Sequence, residues 1–286
     1  AYEMDTEVDP VDVGTNINFI SKTSSFTRVF SMVTRGQQDN PQVLDLSKIV
    51  NEYIPSNVDT LFASPQNQFI AMTSQASDKM FLFSFYNNGE KNLLESWYSW
   101  KMPGNIQTAA IDQDDMYVVT KQANQFTLGK ATINQSPDSA IIVNSNGSRV
   151  NPSVDLYATA SSVVYDSANA QSKCYLPYND VPGLKPVLLI AGSTAQGTFV
   201  ESGFTISPER GTDGTGDFFI VPKKDLTSQA SDVIVGFKYD FEVQLPTTFY
   251  SRTPDGKTVD FTARLTIARY TFSLGWSGLM SFKLKS

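Results

Sequence analysis

The stretch LFASPQNQFIAMTSQASDKMFLFSFYNNGEKNLLESWYSWKMPG, residues 61–104, decides the fold. It divides into four short apolar or aromatic runs, 61–64, 68–73, 80–86 and 93–100. Between them lie Pro65-Gln66-Asn67, Asp78-Lys79 and Asn87-Asn88-Gly89-Glu90. Short β-rich runs bounded by turn residues predict antiparallel strands, and none of the spacers has room for a helix. Four strands in about forty residues is the size of one β-propeller blade. The pattern then starts again with 106–111, the acidic turn Asp112-Gln113-Asp114-Asp115, 116–120 and 125–132. A radial β-scaffold points away from cofactor chemistry and toward a surface that binds or a ring that builds.

Working outward, 16–20 and 26–33 predict a hairpin across Lys22-Thr23-Ser24-Ser25. Asp45 is placed to cap a short helix over 46–53, with Ile49, Val50 and Tyr53 on one face and Pro55 as its stop. Asn, Ser, Pro and Gly cluster over 134–152, a boundary or a long surface loop. Beyond it, strands are expected at 140–143, 156–165, 173–176 and 187–191, without the earlier rhythm. The expected fold is therefore all-β with very little helix. Partial β-propeller blades occupy 1–136, and a second antiparallel β-domain, sandwich- or platform-like, occupies 137–286.

Toward the C-terminus, Tyr239, Phe241, Val243 and Leu245 alternate with Asp240, Glu242 and Gln244. This predicts a strand with one buried face, ended by Pro246. A turn is expected at 253–257. Val259, Phe261, Ala263, Leu265 and Ile267 then hold one phase, and Tyr270, Phe272 and Leu274 the opposite one. The change of phase predicts a β-bulge or bend at Ala268-Arg269.

Composition narrows the function. With 41% hydrophobic residues and 12% aromatics, 286 residues can bury a sizeable core. The net charge of −7 disfavours gripping nucleic acid through its phosphates. That charge is uneven: Glu3, Asp5, Glu7, Asp9 and Asp12 open the chain without a base. Arg252, Lys257, Arg264, Arg269, Lys283 and Lys285 outnumber Asp255 and Asp260 at its end. Opposite-sign ends suit head-to-tail contacts between subunits, although solvated faces are the commoner explanation. The chain has no histidine and one cysteine. A Ser-His-Asp triad, a Cys-His pair, a His-bearing zinc site and an imidazole base are all excluded. Cys174, beside Tyr175, Leu176 and Tyr178, is expected as a buried strand thiol rather than a nucleophile. No apolar run approaches the length of a membrane span. The start, Ala1-Tyr2-Glu3-Met4, has neither an initiator Met nor a signal pattern and suggests the trimmed edge of something longer.

Several segments imitate functional motifs. Gly192-Ser193-Thr194-Ala195-Gln196-Gly197-Thr198 has phosphate-loop glycine spacing but Thr at the lysine position, so a hairpin is the better reading. Residues 211–217 and 112–115 have carboxylates and glycines without the alternating ligand spacing and closing Glu of a calcium loop; they read as solvated turns. Asn146-Gly147-Ser148 fits a glycosylation sequon, but nothing in the sequence suggests secretion and turn geometry is the better reading. Trp97 and Trp100, three apart, fall on opposite faces of one strand and read as one core and one rim aromatic.

The order of several segments resembles the tail nozzle family of short-tailed bacteriophages, also called tail tubular protein B. They are 26–32; Val43-Leu44-Asp45-Leu46-Ser47-Lys48-Ile49-Val50 with Tyr53-Ile54-Pro55; 80–85 with Gly89-Glu90; and Ser96-Trp97-Tyr98-Ser99-Trp100-Lys101-Met102-Pro103-Gly104. Tyr165-Asp166 with Tyr175-Leu176-Pro177-Tyr178, the run 235–241, Leu245-Pro246 and Tyr250-Ser251-Arg252 follow. Family members are several times longer, so the resemblance implies a portion of such a protein or a shortened relative. It also implies a structural virion protein, not an enzyme, without cofactor. The expected assembly is a six-fold ring below a tail adaptor protein. It extends the DNA channel, closes the channel's distal end until ejection and helps seat a tail fibre protein. Genomic DNA would pass without specific binding. On that basis Asp112, Asp114 and Asp115 are expected at the channel or its rim, and Arg252, Lys257, Arg264 and Arg269 at assembly contacts. The alternative from the residues is a carbohydrate-binding or carbohydrate-active β-propeller at a cell surface; a propeller scaffold for protein partners is a third.

Overall fold

The computed structural model describes residues 3–14, 16–33, 42–50, 52–87, 92–133, 142–143, 149–150, 154–190, 204–206, 208–243, 250–251, 259–260 and 271. Every strand pair among them is antiparallel. The first sheet is a meander of β1 (Val11–Val13), β2 (Asn16–Lys22), β3 (Thr27–Val33) and β4 (Gln42–Asp45). The second runs through β5 (Thr60–Ser64), β6 (Phe69–Thr73), β7 (Lys79–Asn87) and β8 (Asn92–Lys101). The third is β9 (Asn105–Asp112), β10 (Asp115–Gln122) and β11 (Gln125–Thr132). Strands joined by such short turns pair with their sequence neighbours, which gives a meander each time.

These sheets stack in chain order, with the second in the middle. Its β6 is buried at all five positions, as a strand covered on both faces must be. Ile70, Met72, Phe81 and Phe83 project to one side, where Val13, Ile20, Val29 and Ile54 meet them. Phe69, Ala71, Met80 and Leu82 project to the other, against Ile106, Met116 and Val118 of the third sheet. Two cores therefore flank one sheet. Trp97 joins the first and Trp100 the second, as their spacing predicts. Among the described residues no closed barrel or propeller is formed.

A hairpin of β12 (Ile142–Val143) and β13 (Arg149–Val150) follows, and then two four-stranded sheets. One has the order β14-β21-β17-β18, from β14 (Asp155–Thr159), β17 (Lys185–Ile190), β18 (Phe204–Ile206) and β21 (Val233–Lys238). The other has the order β15-β16-β20-β19, from β15 (Ser162–Asp166), β16 (Gln171–Tyr175), β19 (Glu209–Asp213) and β20 (Gly216–Pro222). They share a core of Cys174, Leu188, Phe219, Val221, Val235 and Phe237. The last pair, β22 (Tyr250–Ser251) and β23 (Val259–Asp260), brackets the expected turn at 253–257. No helix among the described residues is long and apolar enough to cross a membrane.

Three expectations change. The helix over 46–53 is only a single 3-10 turn, Lys48–Val50, with Ile49 exposed. Asp45 does accept from the Ser47 amide at 3.0 Å, but it also belongs to β4 and pairs with Phe30, and its other oxygen holds Arg28. The strand expected over 156–165 is two strands in different sheets. The Ala160 amide donates to Val233 O and the next amide, Ser161, to Tyr175 O, so the chain crosses between sheets in one peptide. Finally, residues 239–243 continue β21 in sequence but pair with nothing in a sheet among the described residues, and all five are exposed. The phase change at Ala268-Arg269, the glycine segment 192–198 and the sequon at 146–148 lie outside the described residues.

Candidate functional site

The acidic turn is a two-residue loop, Gln113-Asp114, between β9 and β10, and Asp112 and Asp115 face each other across its base. Gln113 adopts a φ of 55°, which lets so short a loop close. The neighbouring β5–β6 turn braces it: Asn67 Nδ2 donates to Asp114 Oδ1 at 3.3 Å and to Ser64 Oγ at 3.0 Å. Between the two turns lies an open cleft of about 330 Å³, lined by Ala63, Ser64, Pro65, Gln66, Ile111 and Gln113.

The three acids are not equivalent. Asp115 holds Lys130 Nζ at 2.7 Å and accepts from Thr132 Oγ1 at 2.8 Å. The lysine, then the threonine, hold its carboxyl below the ordinary range, and Asp115 holds the Lys130 ammonium above its own. Asp115 and Lys130 thus form a neutralised pair, and among the described residues the uncompensated charge of the turn rests on Asp112 and Asp114. The four bases expected at contacts, Arg252, Lys257, Arg264 and Arg269, lie outside the described residues.

The other candidates resolve into structure. Burial pushes the Cys174 thiol up to about 12, which leaves it protonated and unreactive in the core. Residues 211–217 form the β19–β20 hairpin, in which Asp213 Oδ1 accepts from the Thr215 amide at 2.9 Å. The Trp97 indole donates to Leu46 O at 3.1 Å and packs 4.9 Å from Phe83, while Trp100 lies beside Tyr98 on the opposite face. The two indoles cannot share one sugar platform.

Two features escaped the sequence. Arg210 reaches from β19 to Asp180 Oδ2 at 3.0 Å and also donates to the carbonyl oxygens of Val181 and Leu184, tying the loop before β17 to the β15-β16-β20-β19 sheet. Asp155, at a register break in β14, has its carboxyl pushed up to about 6 by burial. Nothing local in the sequence marks either, because both depend on which strands become neighbours.

The described residues form an all-β stack of meanders followed by a two-sheet layer, a β-scaffold architecture. Over its whole length, residues 1–286, the chain matches the family described as bacteriophage nozzle protein, and it belongs to that family. It is a structural component of the phage tail. Over 138 residues it is 28% identical to tail tubular protein gp12 of Escherichia phage T7, a match covering 46% of this chain and 17% of that protein.

Proposed function

We propose that copies of this chain build the wall of a tail nozzle, a six-fold ring that extends the DNA-ejection channel below the adaptor protein and closes its distal end until infection. Residues 1–136 supply propeller-type blades and 137–286 a β-sandwich platform. A tail fibre protein is seated on the outside, and genomic DNA passes through without specific binding. The observation that carries this reading is the match to the nozzle family along the entire chain. The stacked meanders and the charge of −7 support it: an acidic wall repels phosphates and lets a duplex slide. Asp112 and Asp114 provide rim charge, Asp115 braces its own sheet through Lys130, and the bases at 252, 257, 264 and 269 sit at subunit or adaptor contacts. No catalysis is assigned to the chain.

Negative-stain electron microscopy of the purified chain tests this. A six-fold tubular ring is the expected image; isolated globular particles at every concentration overturn the ring. Reversing the charge of Arg252, Lys257, Arg264 and Arg269 together should reduce the number of complete tails, and normal tail counts would remove those residues from the contacts.

A further inference from the structure

The third sheet has one face unaccounted for. Met116 and Val118 of β10 point into the core against the second sheet, so Tyr117, Val119 and Lys121 point the other way. Their partners in register on β11 are Lys130, Leu128 and Phe126. Phe126 is 61% exposed and Leu128 68%, a contrast with the second sheet, whose two faces are both covered. The Lys121 ammonium lies 5.4 Å from the Phe126 ring centre and that of Lys130 lies 5.8 Å from Tyr117; Lys130 is already paired with Asp115, so among the described residues the unneutralised positive charge of the apolar face is that of Lys121.

Elsewhere on the same chain lies a complementary surface. After β21, Tyr239, Phe241 and Val243 alternate with Asp240 and Glu242, the pattern of a strand with one apolar side. Phe241 is 83% exposed and Val243 59%. Neither Asp240 nor Glu242 holds an ion pair among the described residues. One surface is aromatic and flanked by lysines; the other is aromatic and flanked by carboxylates. Both stay uncovered at once in a single folded chain, so the strip does not cover the face of its own molecule.

We propose that the β10–β11 face of one copy receives the Tyr239–Val243 strip of a second copy. In this joint Tyr239, Phe241 and Val243 cover Tyr117, Phe126 and Leu128, and the acids of the strip meet Lys121 at the rim. Such a contact is heterologous, because each copy offers a different patch to each neighbour. Repetition of one heterologous contact closes into a ring when its rotation permits. Aromatic centres with charged edges are the usual composition of such contacts. The inference rests on the ring proposed above and supplies its joint.

Two full-length variants test it by analytical ultracentrifugation: Phe126→Glu with Leu128→Glu, which spoils the face, and Phe241→Glu, which spoils the strip. All three positions are exposed, so circular dichroism should be unchanged, and serine in place of glutamate repeats the test with a milder change. Each variant alone should sediment as a monomer. An equimolar mixture should give a one-to-one dimer and nothing larger, because only one intact joint can form between the two. Lys121→Glu should weaken assembly several-fold, with recovery when Glu242→Lys is added. If the unsubstituted chain forms rings and either variant still does, or the mixture stays monomeric, the joint is overturned and the ring stands. An unsubstituted chain that is monomeric at all concentrations overturns both.

Discussion

Leu82 and Phe83 are adjacent on β7, each 1% exposed, yet they belong to different cores. Phe83 packs 4.9 Å from Trp97 and 5.8 Å from Phe85, between the first and second sheets. Leu82 lies between the second and third. Truncating a buried Phe to Ala costs about 3–5 kcal/mol, and a buried Leu about 2–5. The aromatic partners of Phe83 add about 0.5–1.5 kcal/mol beyond burial, which places Phe83→Ala near the top of its range, about 4–5 kcal/mol. Leu82→Ala, with Met80 and Met116 available to relax into the gap, should cost about 3 kcal/mol. With a urea slope of about 2–3 kcal/mol per M, the midpoints fall by about 1.3–2.5 M and about 1–1.5 M respectively, measured by far-ultraviolet circular dichroism. The two cores share no side chain and the adjacent residues couple only through their backbone, so the double variant should equal the sum of the singles within about 1 kcal/mol. A deviation above about 1 kcal/mol, or a cost below about 1 kcal/mol for Phe83→Ala, would refute the separation into two cores on either side of one sheet.

Further outcomes follow from single residues. Asp155 has its folded pKa raised to about 6, against about 3.9 when unfolded, so the folded state holds its proton to higher pH and stability falls as pH rises from about 4 to about 6. Asp155→Asn should remove about 1–3 kcal/mol of that loss and be the more stable form at pH 7; urea midpoints with the same pH slope in both proteins would contradict it. At Gly236 a Cβ would lie 2.8 Å from Val154 Cγ2 and 2.9 Å from the carbonyl oxygen of Asp155, so Gly236→Ala should destabilise by about 1–3 kcal/mol, read from the same midpoints. Cys174 should be silent to a thiol reagent in the native protein and release one equivalent in urea; rapid native reaction would show that β16 opens.

Local chemistry made the β5–β11 stretch legible. Turn residues fall between runs whose alternation the chain uses in full, and each strand pairs with its sequence neighbour. Where pairing is remote, the same signals mislead. Asp45 does accept from a nearby amide, but that amide, of Ser47, precedes the 3-10 turn, and pairing with Phe30 and the Arg28 contact claim the residue for a sheet edge. The apolar run from 156 to 165 hides a change of sheet, because Ala160 suits a buried corner as well as a strand. At Asp112, Asp114 and Asp115 the sequence marks three like charges. Only the β10–β11 register, which brings Lys130 beside Asp115, the first residue of β10, separates the neutralised acid from the other two. The strip at 239–243 is the reverse case: a strand pattern without a strand, which has meaning once a partner is supplied.

The crossing at Ala160-Ser161 has a mechanical consequence. Two consecutive amides are anchored in two different sheets, one to Val233 and one to Tyr175, with no slack between them. Tension applied to either layer reaches the other through a single peptide link rather than through a compliant loop. The two layers must then yield together, and both amides should be among the last in the chain to exchange with deuterium. A joint of this kind keeps the two layers from sliding past each other under load.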